Sequence, residues 1–240
     1  MTDWQPSARY RRAFSSGMEG ADVWALQINL AAARNGLAPD GYFGPATQQS
    51  VRDYQKASGL DVDGVAGIIT QRSLCLGLSQ SASSKYRLPD GLLKGLMENE
   101  SGFAVAAYAA HPGSAGFDLG PYQHSFTSQS AAQADYAHAY SAKAMAEDAG
   151  ANMRQVKDTY RRAPHVTSDK YAWQLAVLSH NWPAAAENLA RIGSIFRDAS
   201  QDTVRQEWIV SASGGGMSTA RQWVAHYIEK GCLYITTWPT

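Results

Sequence analysis

The sequence holds little that would brace a fold covalently or draw it to a charged partner. Two cysteines, Cys75 and Cys232, stand among 240 residues. They are too few for a disulfide scaffold or for a tetrahedral site of cysteine ligands, so they are free thiols or at most one long-range bridge. Net charge is absent too, since 21 Lys and Arg balance 21 Asp and Glu. A neutral chain lacks the broad positive field of a nucleic-acid binder, and no nucleic-acid partner is expected. No stretch approaches the ~20 apolar residues that cross a bilayer, which argues against membrane insertion. Residues 1–20 are polar and carry Arg9, Arg11 and Arg12 with no apolar run behind them. They do not read as a secretory signal peptide, so a substrate outside the cytoplasm would have to be reached by another route. What is present is globular: 45% hydrophobic and 18% charged residues, enough to bury a core in one large domain or two small ones.

The strongest internal signal is a repeat. Asp40-Gly41-Tyr42-Phe43-Gly44-Pro45-Ala46-Thr47 returns as Asp63-Gly64-Val65-Ala66-Gly67-Ile68-Ile69-Thr70, both reading D-G-x-x-G-x-x-T. Each copy reads as a turn in which glycine supplies positive φ, followed by a helix start with threonine in its first turn. Val23, Leu26, Gln27 and Leu30 lie ahead of the first copy at helical spacing, and Val51, Tyr54 and Gln55 ahead of the second. With Gly20, Gly36, Gly59 and Leu60 in register, this stretch resembles the peptidoglycan-binding three-helix module. The resemblance implies peptidoglycan as the partner. It also makes Asp40, Gly41, Phe43, Gly44, Thr47, Asp63, Gly64, Gly67 and Thr70 the residues of a wall-binding module over 19–78, behind an extension at 1–18. Ser79-Gln80-Ser81-Ala82-Ser83-Ser84 then reads as a polar linker within 79–87.

From residue 88 onward the pattern is helical, and few segments alternate at period two. A long Ala-rich stretch runs from about Ser130 to Arg162, with Gly150 as its weak point. Tyr171–His180, Ala184–Ile192, Thr203–Ser211 and Thr219–Lys230 also read as helices, and Trp24, Trp173, Trp208 and Trp223 within helical patterns as core. The expected fold class is all-α: a small N-terminal three-helix domain and an α-rich domain over 88–240.

Chemistry is expected at the end of the first helix of that second domain. Leu92, Leu93, Leu96 and Met97 form a stripe at helical spacing whose next member is Glu100, while Glu98 sits roughly 200° away and should face water. A carboxyl group against apolar neighbours near a helix C-terminus is expected to hold its proton and serve as a general acid. Downstream, Gly113, Gly116, Gly120 and Pro121 mark a loop whose backbone could approach a ligand. There Tyr122 would offer a stacking face and Gln123 an amide.

Leu92-Leu93-x-Gly95-Leu96-x-x-x-Glu100-Ser101-Gly102-Phe103, the loop Gly116 to Gln123, and Ser179-His180-Asn181-Trp182-Pro183 together resemble the lysozyme-like lytic transglycosylase family. The third block departs from the family's Tyr-Asn-Ala-Gly. The resemblance implies Glu100 as catalytic acid and base, Ser101 as its support, and Gly120, Tyr122, Gln123, His180, Asn181 and Trp182 as substrate contacts. Asp118 is the candidate second carboxylate, which a hydrolytic muramidase would need and a transglycosylase would not. The whole arrangement resembles a modular phage endolysin: a monomer without metal or cofactor, held in the host cytoplasm until release onto the wall, with transglycosylase slightly ahead of muramidase. Two rivals stand beside it. One is a zinc-dependent wall peptidase, suggested by the spacing of His111 and Asp118 but lacking a His-x-His, since His124, His138, His165, His180 and His226 are scattered singly. The other is a non-catalytic wall-binding protein.

Overall fold

The computed structural model describes residues 13–34, 36–111, 113–128, 135–181, 183–192, 230–235 and 238. It is helix-rich and divides into two compact units, each drawn from two stretches of chain: residues 1–82 with 100–148, and 83–99 with 149–240.

The first unit opens with helices α1 (Ala21–Ala33), α2 (Pro45–Ala57) and α3 (Ile68–Lys85). Val23, Leu26 and Leu30 of α1 and Val51 of α2 are fully buried, as their helical spacing predicts. The module begins earlier than expected. Phe14 is fully buried and pairs with Ala66 across an isolated bridge, and Met18 accepts a hydrogen bond from the Phe43 amide. From residue 13, then, the segment read as an extension is part of the fold. The polar stretch read as a linker is also structured, because α3 runs on to Lys85. Ser79 and Ala82 on its inner side are buried, and the Ser79 hydroxyl donates back to the Cys75 carbonyl. Small residues suit a close helix face as well as they suit a linker, and composition alone does not separate the two.

The expectation of an all-α fold needs one correction. Strands β1 (Tyr108–Ala110), β2 (Phe117–Leu119) and β3 (His124–Phe126) form an antiparallel sheet in the order β1-β2-β3. Each strand is three residues long, too short for an alternating pattern to stand out. Phe117, Leu119 and Phe126 turn inward, whereas Ala109, Asp118 and Ser125 face each other across the ladder on the opposite, more open face. Helix α5 (Tyr136–Tyr140) ends at Ser141, which is extended, and α6 (Ala142–Arg161) begins with Ala144 N–H donating to the Ser141 hydroxyl. The fully buried Asn29 of α1 holds this break. It donates to the carbonyl of Tyr140 and accepts from the amide of Ala142, at 2.8 Å each.

The second unit takes up α4 (Leu92–Glu100) as far as Asn99, α6 from Ala149, α7 (Asp169–Asn181) and α8 (Pro183–Ile192). Gly150 does not interrupt α6. A side chain there would come within 2.8 Å of the Tyr86 ring, so the glycine serves a close approach. Trp173 is core, as expected. Trp208, Trp223 and the Thr203–Ser211 segment lie outside the described residues, as does the Thr219–Lys230 segment short of its last residue. The nearly buried Lys157 is paired with Asp169, which Arg161 also holds at 2.9 Å; the Lys157 ammonium is the main reason the Asp169 carboxyl lies below its usual range. Cys75 and Cys232 are free, and burial raises both thiols to about 12.

Candidate functional site

The repeated turns are built around two glutamines. Gln27 is fully buried, and its amide nitrogen reaches Asp40 Oδ1 at 2.7 Å, the Tyr42 carbonyl at 3.0 Å and Thr47 Oγ1 at 2.8 Å. Its oxygen accepts the amides of Asp40 and Gly41. Gln55 repeats the arrangement, reaching Asp63 Oδ1 at 2.7 Å, the Val65 carbonyl at 3.0 Å and Thr70 Oγ1 at 3.2 Å while accepting from Gly64 N–H. Gly41 and Gly64 occupy the left-handed region, as the repeat predicts. Phe43, Thr47 and Thr70 are buried. Most residues assigned to the wall-binding module therefore make the module, while Asp40 and Asp63 are also exposed.

Around the proposed acid, two expectations change. Glu98, expected in water, has its Oε2 sealed from solvent without a hydrogen-bond partner, while Glu100 is half-buried. Both glutamates are half-buried as residues, so the helix does not leave Glu98 in water as the single stripe predicts. Gly91 and Gly95 lie against Tyr234 and Gly231 so closely that a Cβ on either would meet a carbonyl oxygen at 2.2 Å. Glu98 follows the helical Gly95 at i+3, on the same side of α4. The helix then ends at half-buried Ser101, with Gly102 and Phe103 both left-handed.

The glycine-rich loop does not present a sugar platform. Tyr122 is 1% exposed, its hydroxyl donating to Ser79 at 3.2 Å, and burial pushes its phenol far above the ordinary range. Gln123 sits in the left-handed region, and its side-chain amide donates to the Gly120 carbonyl at 3.0 Å. Gly120 is needed because a Cβ would fall 1.9 Å from the Ala139 carbonyl oxygen. His180 is half-buried on α7 and Asn181 ends that helix; Trp182 lies outside the described residues.

The residues that do converge are His111, Asp118 and Ser125. Asp118 Oδ1 accepts from the Ser125 hydroxyl at 2.5 Å and contacts His111 Nε2 at 2.9 Å. Gly116 makes room for the ring, since a Cβ there would stand 2.7 Å from His111 Nδ1, and its carbonyl accepts the His111 amide at 2.9 Å. An imidazole oriented by a carboxylate, itself held by a hydroxyl, is an arrangement suited to proton transfer. Spacing had singled out His111 and Asp118 but not Ser125, whose role needs the β2–β3 register.

Comparison with known proteins bears first on the glutamine-centred turns. Residues 19–74 match the family described as "Putative peptidoglycan binding domain". The chain is 33% identical over 108 residues, 40% of its length, to a "Probable N-acetylmuramoyl-L-alanine amidase" of Bacillus licheniformis. It is 46% identical over 59 residues, 23% of its length, to a "Zinc D-Ala-D-Ala carboxypeptidase" of Streptomyces albus G, a stretch about as long as the 19–74 domain. The chain spans 30% and 23% of these two relatives. Peptidoglycan is thus the partner the binding domain supports. The assignment as a muramidase or lytic transglycosylase is corrected: the relatives carry the names of an amidase and a carboxypeptidase. Among the described residues no group of three or more His, Cys, Asp or Glu side chains could hold a metal, and His111 and Asp118 are turned on each other.

Proposed function

We propose that this chain is a peptidoglycan-directed hydrolase of amide bonds in the wall peptide, held on its polymer by residues 19–74. The observation that carries the reading is the His111–Asp118 contact, on the open face of a sheet in the same compact unit as the binding domain. His111 takes a proton from a water as its oxygen adds to the amide carbonyl carbon. It then returns that proton to the leaving nitrogen as the C–N bond breaks, giving a carboxylic acid and an amine. Asp118, in contact with the ring, stabilises the imidazolium between the two transfers. Residues 88–240 keep, in this proposal, the α-rich lysozyme-like architecture that the 92–123 pattern resembles, but not its bond specificity. Glu100 has no assigned step.

Purified peptidoglycan incubated with the full chain should release new amino groups. Asp118→Asn should slow this about 100-fold or more while pelleting with the polymer as wild type does, and a chelator should leave the rate unchanged. Muropeptides with new reducing or anhydro ends and no new amines would overturn the bond assignment. Pelleting without any released product would leave a non-catalytic wall-binding protein.

A further inference from the structure

An exposed aromatic of the binding domain sits on a fixed stretch of backbone. Tyr42 is 48% exposed, yet its backbone is fixed on both sides. Its amide donates to Asp40 Oδ1 at 2.9 Å; its carbonyl accepts from the Gln27 amide at 3.0 Å, the Thr47 hydroxyl at 3.2 Å and the Gly44 amide at 2.9 Å. Glu19 pairs with it across an isolated bridge. Gly44 lies directly beneath the ring, where a Cβ would stand 3.0 Å from Cε1 and 3.1 Å from Cδ1. The neighbouring Gly41 packs on the Gly20 carbonyl and on Cβ of Trp24, and Trp24, expected in the core, is only half-buried. The second copy of the repeat has half-buried Val65 in the equivalent place, so the turn does not require an aromatic there.

We infer that Tyr42 is a stacking platform for a pyranose ring of the glycan strand, which rests on the reading that residues 19–74 hold peptidoglycan. An aromatic carried on a fixed backbone loses little backbone freedom on binding, and the C–H face of an N-acetylhexosamine ring is the apolar, flat part of the polymer that fits it. The glycan rather than the stem peptide is the occupant because the exposed ring is neutral and the charged residues bonded or paired to its backbone, Asp40 and Glu19, are acidic like the carboxylates of the stem.

The test is co-sedimentation of the full chain with purified peptidoglycan, with an N-acetylglucosamine oligosaccharide or free stem peptide as competitor. Tyr42→Ala should weaken retention about tenfold and Tyr42→Phe should leave it near wild type. Gly44→Ala should fall between them: its φ of −87° is open to alanine, so only the ring is disturbed. Ile69→Ala, at the most exposed apolar residue of the domain, should change nothing. The oligosaccharide should release the bound chain and the stem peptide should not. If wild type fails to sediment, the peptidoglycan reading falls and takes this inference with it. If wild type sediments and Tyr42→Ala sediments equally, or if only the stem peptide competes, the stacking platform alone is overturned.

Discussion

The two glutamine-centred turns and the three-stranded sheet handle polar groups in opposite ways. Gln27 and Gln55 are buried, and every partner they hold lies within the turn, so their hydrogen bonds serve the fold. On the sheet, Asp118, Ser125 and His111 form a similarly short chain of contacts, but the His111 side chain is 40% exposed and the bonds are open to solvent. A buried network is costly to leave half-satisfied and therefore specifies structure. An exposed one contributes little stability, so its role is read from activity rather than from unfolding.

The comparison is tested most severely at Tyr122, which the loop composition had assigned to substrate and the packing assigns to the core. Tyr122→Ala should cost about 3–5 kcal/mol in denaturant unfolding, as for other large buried aromatics. Tyr122→Phe, losing only the bond to Ser79, should cost about 1 kcal/mol. A Tyr122→Ala chain that unfolds at the wild-type denaturant concentration would return the residue to the surface.

The glutamines come next. Gln27→Leu and Gln55→Leu should each cost about 1–3 kcal/mol in thermal unfolding, because the turn amides lose their acceptor. Gln27 should be the larger loss, since its oxygen accepts two backbone amides and that of Gln55 accepts one. Equal, negligible losses would mean that water replaces the side chains and that the network is not structural.

Legibility followed the length of the pattern. The D-G-x-x-G-x-x-T repeat spans whole turns, so its glycines and helix starts could be read directly. The helical stripe of Leu92, Leu93, Leu96 and Met97 was equally plain, and all four are buried. Misreadings arose where one residue served two packing faces. Periodicity gave α4 a single buried side, whereas Gly95 packs closely on the Gly231 carbonyl and Glu98, one turn on, has one carboxyl oxygen sealed from solvent. A glycine read as freedom for a ligand to approach, Gly120, instead admits the protein's own Ala139 carbonyl. The link from Asp118 to Ser125 depends on strand register, which three-residue strands do not announce.

On the sheet, Ser125→Ala should slow amine release about two- to tenfold, the range for one hydrogen bond, with unfolding unchanged because the hydroxyl is exposed. A loss as large as that of Asp118→Asn would make Ser125 a direct participant rather than a positioning residue.

The smallest effect is expected from acid. The Asp40 carboxyl lies below its ordinary value of 3.8 chiefly because the Gln27 amide donates to it; Asp63 does so through the Val65 amide and then Gln55. A carboxyl whose folded value is lowered contributes its stability fully above the unfolded value and loses it as pH falls through the folded one. The melting temperature of wild type should therefore exceed that of Asp63→Asn by a constant small margin from pH 7 to 5. The margin should close only below pH 3.8, as the unfolded and then the folded carboxyl takes up its proton. Both aspartates are at the surface, so the margin is modest and should shrink further in high salt. A margin that closes already between pH 7 and 5 would mean that the aspartate is not held as its bonds to Gln55 and Val65 require, and the likeness between the two turns would end there.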